Sequence, residues 1–273
     1  MKVDENNRWV PSGQKDPDIY LGSPSTYFSR EDPVVDLCIN GVINGVQHLE
    51  ALYLMKPGKK ILWLNEPRGV IGDFYTWVEH HYALFKCVLT FDQYLLSLND
   101  SFKFTPAGGC WILPKHFSLY EKSKKISMFL STKNWSEGHI FRRKVYESVK
   151  DSVDIFGYGY NPVDYKLTGL RDYKYHIVVE NGQGDDYFTE KLIDCFVTGT
   201  IPLYWGTKNI NRYFVDVPQF NTLDELKVLL ENLDSIRYDP KMNFERAMEF
   251  VNPDDWIYLH YPELFKGVTL HAL

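Results

Sequence analysis

Cysteine is scarce, and no pattern organises it. The four cysteines (Cys38, Cys87, Cys110, Cys195) form no CxxC pair and have no histidine at zinc-site spacing, which excludes a zinc ribbon or a disulfide framework. Each sits among apolar neighbours and reads as a buried thiol of a reducing compartment. Long hydrophobic runs are also missing. A membrane span needs roughly 18 uncharged apolar residues, whereas the longest uncharged run, Cys195 to Thr207, is broken by Gly199, Pro202 and Gly206. The opening MKVDENNRWVPSGQKDPD lacks an apolar run after a basic start, so the expectation is a cytoplasmic chain without signal or anchor. Positive charge is not in excess: 30 basic against 36 acidic residues leave a net charge of −6, which argues against a nucleic-acid partner or a polybasic membrane dock. Aromatic residues are abundant, with 19 Tyr, 17 Phe and 7 Trp making 16% of the 273 residues. That content suits a tight core, a protein interface or a stacking site.

Residues 1–33 are polar and proline-bearing and read as an irregular lead-in. Short apolar runs then alternate with helical patterns. Strands are expected at 34–39, 59–64 and 86–91, with helical stretches at 46–55, 74–85 and 93–98. A second series starts after Pro114, with strands at 124–131, 153–157, 175–180 and 201–206. Its helices are expected at 140–150, 187–198, 222–232 and 243–251. Strand–helix alternation predicts βαβ units and parallel sheets, an α/β fold. The Pro- and Gly-bearing join near 106–122 divides the chain into residues 1–115 and 116–273, two Rossmann-like domains whose ligands bind beyond the strand carboxyl ends.

One segment concentrates chemistry: YKYHIVVENGQGDDYFTEKLIDCFVTGTIPLYWG, Tyr173 to Gly206. It reads as a buried strand ending in Glu180 and Asn181, a glycine-bearing loop, and a helix that Asp186 can cap. Phe188, Leu192, Cys195 and Phe196 form the apolar stripe of that helix. Glu190 and Lys191 stand in its first turns, where a lysine beside a helix N-terminus suits a diphosphate and Glu190 suits ribose hydroxyls. The same pair also reads as an ordinary solvated first turn.

This run resembles the donor-binding signature of glycosyltransferase family 10, the α-1,3/1,4-fucosyltransferases, in the style of the short bacterial members. Tyr173, Lys174, Tyr175, Glu180, Asn181, Tyr187, Thr189, Glu190, Lys191, Ile201, Pro202 and Gly206 fall in step with it. The similarity extends over about 124–214 and includes Arg142. Upstream, ILWLNEPRG (61–69) resembles the family's acceptor-side motif and puts Glu66 at the position of the catalytic carboxylate; Asn-Glu-Pro after a strand is also an ordinary turn.

The resemblance implies a GT-B fold, two Rossmann-like domains facing across a cleft. It implies inverting transfer of a sugar, L-fucose from GDP-fucose, to a hydroxyl of an oligosaccharide or glycoprotein acceptor. Glu66 would be the general base, and Lys191 and Arg142 would neutralise the leaving phosphates. Tyr187 would add a hydroxyl donor, Glu190 would hold the ribose, and Glu180 and Asn181 would shape the sugar end. No metal is required on this reading; the sole Asp-x-Asp is Asp16-Pro17-Asp18. Trp63, Tyr75 and Trp77 are candidates for sugar stacking.

The loop Gly182 to Asp186 departs from the family pattern by two added acids, Asp185 and Asp186, which could alter donor choice. A different donor such as UDP-xylose or another UDP-sugar is therefore an alternative. A non-catalytic nucleotide-sugar or glycan-binding protein of the same fold is another. Glu79-His80-His81 lacks HExxH spacing and reads as a helix face, and Gly157-Tyr158-Gly159-Tyr160 reads as a turn. His139 has no partner apparent from the sequence.

Overall fold

The structure is a computed structural model that describes residues 60–265 and, ahead of them, the backbone of five short strands. The chain forms two compact units. Among the described residues, Gly108–Val251 make up one, while those through Ala107 and from Asn252 onward belong to the other. The division expected at 115/116 thus falls at 107/108, and the C-terminal tail rejoins the first unit. Both units are α/β.

In the first unit β1 (Lys2–Val3) pairs antiparallel with β2 (Trp9–Val10), inside the stretch expected to be irregular. The rest of that lead-in, with Asp16 and Asp18, lies outside the described residues. A six-stranded sheet follows from β3 (Asp36–Ile39), β4 (Val42–Ile43), β5 (Val46–Gln47), β6 (Lys60–Leu64), β7 (Cys87–Thr90) and β8 (Phe102–Phe104) in the order β5-β4-β3-β6-β7-β8. The strands β3, β6, β7 and β8 run parallel. Val46 and Gln47 pair antiparallel with β4, so the helix expected from Val46 does not begin there; the remainder of 48–59 lies outside the described residues. β8 went unanticipated because three residues carry too little periodicity to read.

The helix α1 (Arg68–His81) starts six residues before the expected Phe74, directly after Pro67 in extended conformation. Gly69 and Gly72 obscure its apolar pattern. Its Tyr75 and Val78 pack with Leu62, Leu64, Val88 and Leu95. α2 (Gln93–Leu98) begins where Asp92 accepts from the Leu95 N–H.

The second unit holds a four-stranded, wholly parallel sheet of β9 (Lys124–Phe129), β10 (Asp154–Phe156), β11 (Tyr173–Val179) and β12 (Ile201–Trp205), ordered β10-β9-β11-β12. Alternate residues of neighbouring strands (Ile126 and Met128; Tyr175, Ile177 and Val179; Leu203 and Trp205) share one core with Val145, Phe220 and Leu226. Period-two alternation aims them all at one face, and burying each such side chain is worth about 1.5–3 kcal/mol. The supporting helices are α3 (Glu137–Val149), α4 (Glu190–Phe196), α5 (Leu223–Glu231) and α6 (Pro240–Ala247), and each begins at a side-chain cap: Ser136, Thr189, Thr222 and Asp239. After Asn252 the chain forms α7 (Pro253–His260), another element without an expected counterpart. Phe104 meets Trp256 edge-on at 5.9 Å, and the Tyr261 hydroxyl donates to the Phe104 carbonyl at 2.6 Å, which explains why this tail belongs to the first unit. Cys87 and Cys195 are buried free thiols and Cys110 is half-buried.

Candidate functional site

In the second unit the chain runs from β9 outward to β10, then crosses back to β11 on the other side of β9. Such a reversal opens a crevice beyond the strand carboxyl ends, where ligands of open α/β sheets bind. The donor-side residues singled out in the sequence converge there. Glu180 and Asn181 follow β11 directly, Arg142 lies on α3 between β9 and β10, and Glu190 and Lys191 open α4.

The start of α3 is built for close approach. Ser136 accepts from the His139 N–H at 3.2 Å, and the Ser136 N–H donates back to His139 Nδ1 at 3.4 Å. This is a capping box with histidine in the place of the usual Glu or Gln, and it supplies the partner the sequence did not show. The Nδ1 role assigns the ring proton to Nε2. Burial first, then the neighbouring charges of Arg142, Lys133 and Lys191, push His139 down to about 4. The imidazole is therefore neutral near pH 7, and the surroundings of the α3 terminus are cationic. Arg142 is buried and donates through Nε to the Val179 carbonyl at 3.0 Å, with its NH2 reaching the same carbonyl and Asn181 Oδ1 at 3.4 Å. The guanidinium is thereby pinned to the carboxyl end of β11.

Glu180 does not shape an open sugar pocket. It is fully buried, and its two oxygens accept from the Thr189 N–H at 2.9 Å and the Thr189 hydroxyl at 2.8 Å. It clasps the entry to α4. The cap of α4 is Thr189, not Asp186. Asp186 adopts a positive φ of 61° and turns inward; its Oδ1 accepts from Asn209 at 2.8 Å, Arg212 at 3.0 Å and Tyr213 at 2.7 Å. Of the two acids added in this loop, only Asp185 is exposed. Tyr187 is fully buried too, and its carbonyl accepts from the Tyr204 hydroxyl at 3.3 Å.

The ammonium of Lys191 lies 3.1 Å from Thr189 Oγ1 and 3.4 Å from both Glu180 Oε2 and Glu190 Oε1. Because α4 has seven residues, its positive charge comes from this side chain more than from a helix dipole. A residue the sequence did not single out completes the group. Lys166 contacts Glu190 at 3.3 Å and Asp194 at 2.9 Å. No local motif marks Lys166, which precedes β11, as a neighbour of α4; only the fold brings them together.

In the first unit Glu66 is half-buried just beyond β6, and its carbonyl accepts from the Tyr75 hydroxyl at 2.9 Å. Two residues on, Arg68 forms a two-point contact with Asp92 at 2.7 and 2.9 Å and reaches Glu79 at 2.9 Å. Trp63 and Tyr75 are core residues and do not offer stacking faces, while Trp77 is half-buried and stacks on His81 at 4.4 Å. Gly157 and Gly159, both at positive φ, form the turn after β10. Among the described residues, no group of three His, Cys, Asp or Glu side chains is placed to hold a metal ion.

The second unit thus places the cationic side chains of Arg142 and Lys191 at the reversal of a parallel α/β sheet. Residues 119–251 match the family model described as glycosyltransferase family 10 (fucosyltransferase) C-term. This match spans just under half of the chain. The chain is 27% identical over 190 residues to mouse 4-galactosyl-N-acetylglucosaminide 3-alpha-L-fucosyltransferase 9, a match covering 65% of this chain and 50% of the relative. It is 39% identical over 80 residues to Alpha-(1,3)-fucosyltransferase FucT of Helicobacter pylori, covering 29% of this chain and 16% of the relative. The chain thus spans about half the length of the mammalian relatives it matches. A solved alpha1,3-fucosyltransferase with GDP-fucose is similar at a TM-score of 0.45 and 17% identity, over 87% of this chain and 80% of that one. The mammalian relatives and the family point to a non-cytoplasmic location. The cytoplasmic expectation is therefore corrected; it rested on the first residues of a chain that matches only half of those relatives. No helix among the described residues is long and apolar enough to cross a membrane.

Proposed function

We propose that this protein transfers L-fucose, with inversion, from GDP-fucose to a hydroxyl of a glycan acceptor. The observation that carries this reading is the meeting of Arg142 and Lys191 at the carboxyl end of β11 inside the family-10 segment. As the glycosidic bond breaks, negative charge grows on the departing diphosphate and the sugar gains oxocarbenium character. Preorganised cations stabilise that change more than they stabilise the ground state. In this role Lys191 exchanges its contacts with Glu180 and Glu190 for phosphate oxygens, and Arg142 supplies fixed charge. Glu190 accepts the ribose hydroxyls. Glu180 and Tyr187, both buried, act by holding the 181–189 loop. Glu66 takes the proton of the acceptor hydroxyl as general base.

Calorimetric titration with GDP tests the donor site. Lys191→Ala is expected to raise the GDP dissociation constant about 10- to 100-fold, the loss of one charge-assisted contact. An unchanged constant would remove Lys191 from the phosphate site. In the same format, a thermal shift with UDP but none with GDP would sink the assignment of GDP-fucose.

A further inference from the structure

Glu190 and Asp194 lie one turn apart on α4, where like charges repel. Lys166 enters from the short turn Lys166–Gly169 and bridges them at 3.3 and 2.9 Å, with its ammonium 4.3 Å from the centre of the Trp111 ring. Asp194 is buried and accepts from the Trp111 N–H at 2.6 Å, so it serves as the fixed anchor of the bridge. Glu190 is the outer arm, and both of its lysine contacts, from Lys166 and Lys191, fall on the same oxygen, Oε1. A carboxylate held by one oxygen has a defined orientation for the other.

We propose that Lys166 is a positioning residue for ribose recognition, fixing Glu190 through Oε1 so that Oε2 accepts the sugar hydroxyls of the nucleotide and sets a preference for ribo- over 2′-deoxyribonucleotides. This inference rests on the reading of Glu190 given above. The local charges agree with it. Burial alone would raise the Glu190 pKa, but Lys191 and Lys166, with a hydrogen bond from Thr189, bring it down to about 2. Glu180, whose Oε2 lies 3.4 Å from the Lys191 ammonium, also faces this cluster, as does Asp194, one turn along. The pKa of Asp194 is raised by burial despite Lys166. Removing Lys166 therefore moves Glu190 upward, toward protonation in mildly acid solution, where a neutral acid accepts less well.

The test compares GDP with 2′-deoxy-GDP by titration calorimetry, so that titration of the phosphates cancels in the ratio. Lys166→Met alone would strand the buried Asp194 charge, which is destabilising. The informative variant is therefore Lys166→Met combined with Asp194→Asn, in which the introduced amide oxygen still accepts from the Trp111 N–H. Wild type should favour GDP about tenfold, as expected for a hydrogen bond to a charged group. The double variant should lose most of that preference, and what is left should shrink further between about pH 7 and pH 5 as Glu190 titrates. Wild type should hold its ratio across the same range. Asp194→Asn alone, which keeps Lys166 on Glu190, should retain the wild-type ratio, as should Lys166→Arg, whose fork can span both carboxylates. A double variant with the wild-type ratio at both pH values overturns the role of Lys166. Wild type that binds both nucleotides equally overturns it as well, by removing Glu190 from the ribose. Wild type that binds no GDP at all overturns the donor assignment itself.

Discussion

Gly138→Ala is expected to destabilise the second unit by about 3 kcal/mol or more, the range of severe overpacking. A Cβ at Gly138 would lie 1.8 Å from the Glu180 carbonyl oxygen, 2.6 Å from the Asn181 carbonyl carbon and 2.8 Å from its Cα. All three are backbone atoms, so no rotamer change relieves the overlap. Helix propensity acts in the opposite direction, since alanine is better than glycine by about 1 kcal/mol. The overlap wins because α3 cannot slide away cheaply. The Gly138 N–H donates to the Asn181 carbonyl at 3.1 Å, and Arg142 ties the next turn to Val179. GDP binding should fall with stability, because the same displacement moves Arg142. Gly72→Ala is the control: nothing lies within 4 Å of its added Cβ, and the change should be neutral or mildly stabilising. Urea midpoints of the two variants decide the matter. Equal midpoints would mean that the α3–β11 contact is looser than its geometry.

Glu66→Gln is expected to lower kcat for transfer about 10²- to 10⁴-fold, the usual contribution of a general base. The GDP dissociation constant should stay unchanged, because Arg142, Glu190 and Lys191 all belong to the Gly108–Val251 unit. Stability should also hold. The bond that anchors the turn runs from the Tyr75 hydroxyl to the Glu66 main-chain carbonyl, which glutamine preserves. Single-turnover transfer and GDP titration on the same preparations separate catalysis from binding. Activity equal to wild type would strip Glu66 of the base role.

Much of the frame was legible. Continuous apolar runs such as KILWL and IPLYW are strands because a parallel sheet covered on both faces demands them, and the helix expected at 222–232 is α5. Elements failed where local pattern was thin: three-residue β8, the glycine-diluted start of α1, and α7 in the tail. The cap of α4 illustrates the limit. Asp186 and Thr189 are both good cap residues, and the competition is decided by Asn209, Arg212 and Tyr213, which draw Asp186 inward from more than twenty positions downstream.

The sequence by itself determined the α/β alternation and the gathering of Arg142, Glu190 and Lys191 into one segment that resembles family 10, because periodicity and motif spacing are local properties. Only the tertiary structure decided what each carboxylate does. Glu180 became a buried clasp on Thr189, Asp186 an internal anchor, and Glu190 one arm of a bridge made by Lys166. The physical reason is that a carboxylate's role depends on its desolvation and on the cation or donor it meets, and those partners lie 9 to 27 residues away along the chain.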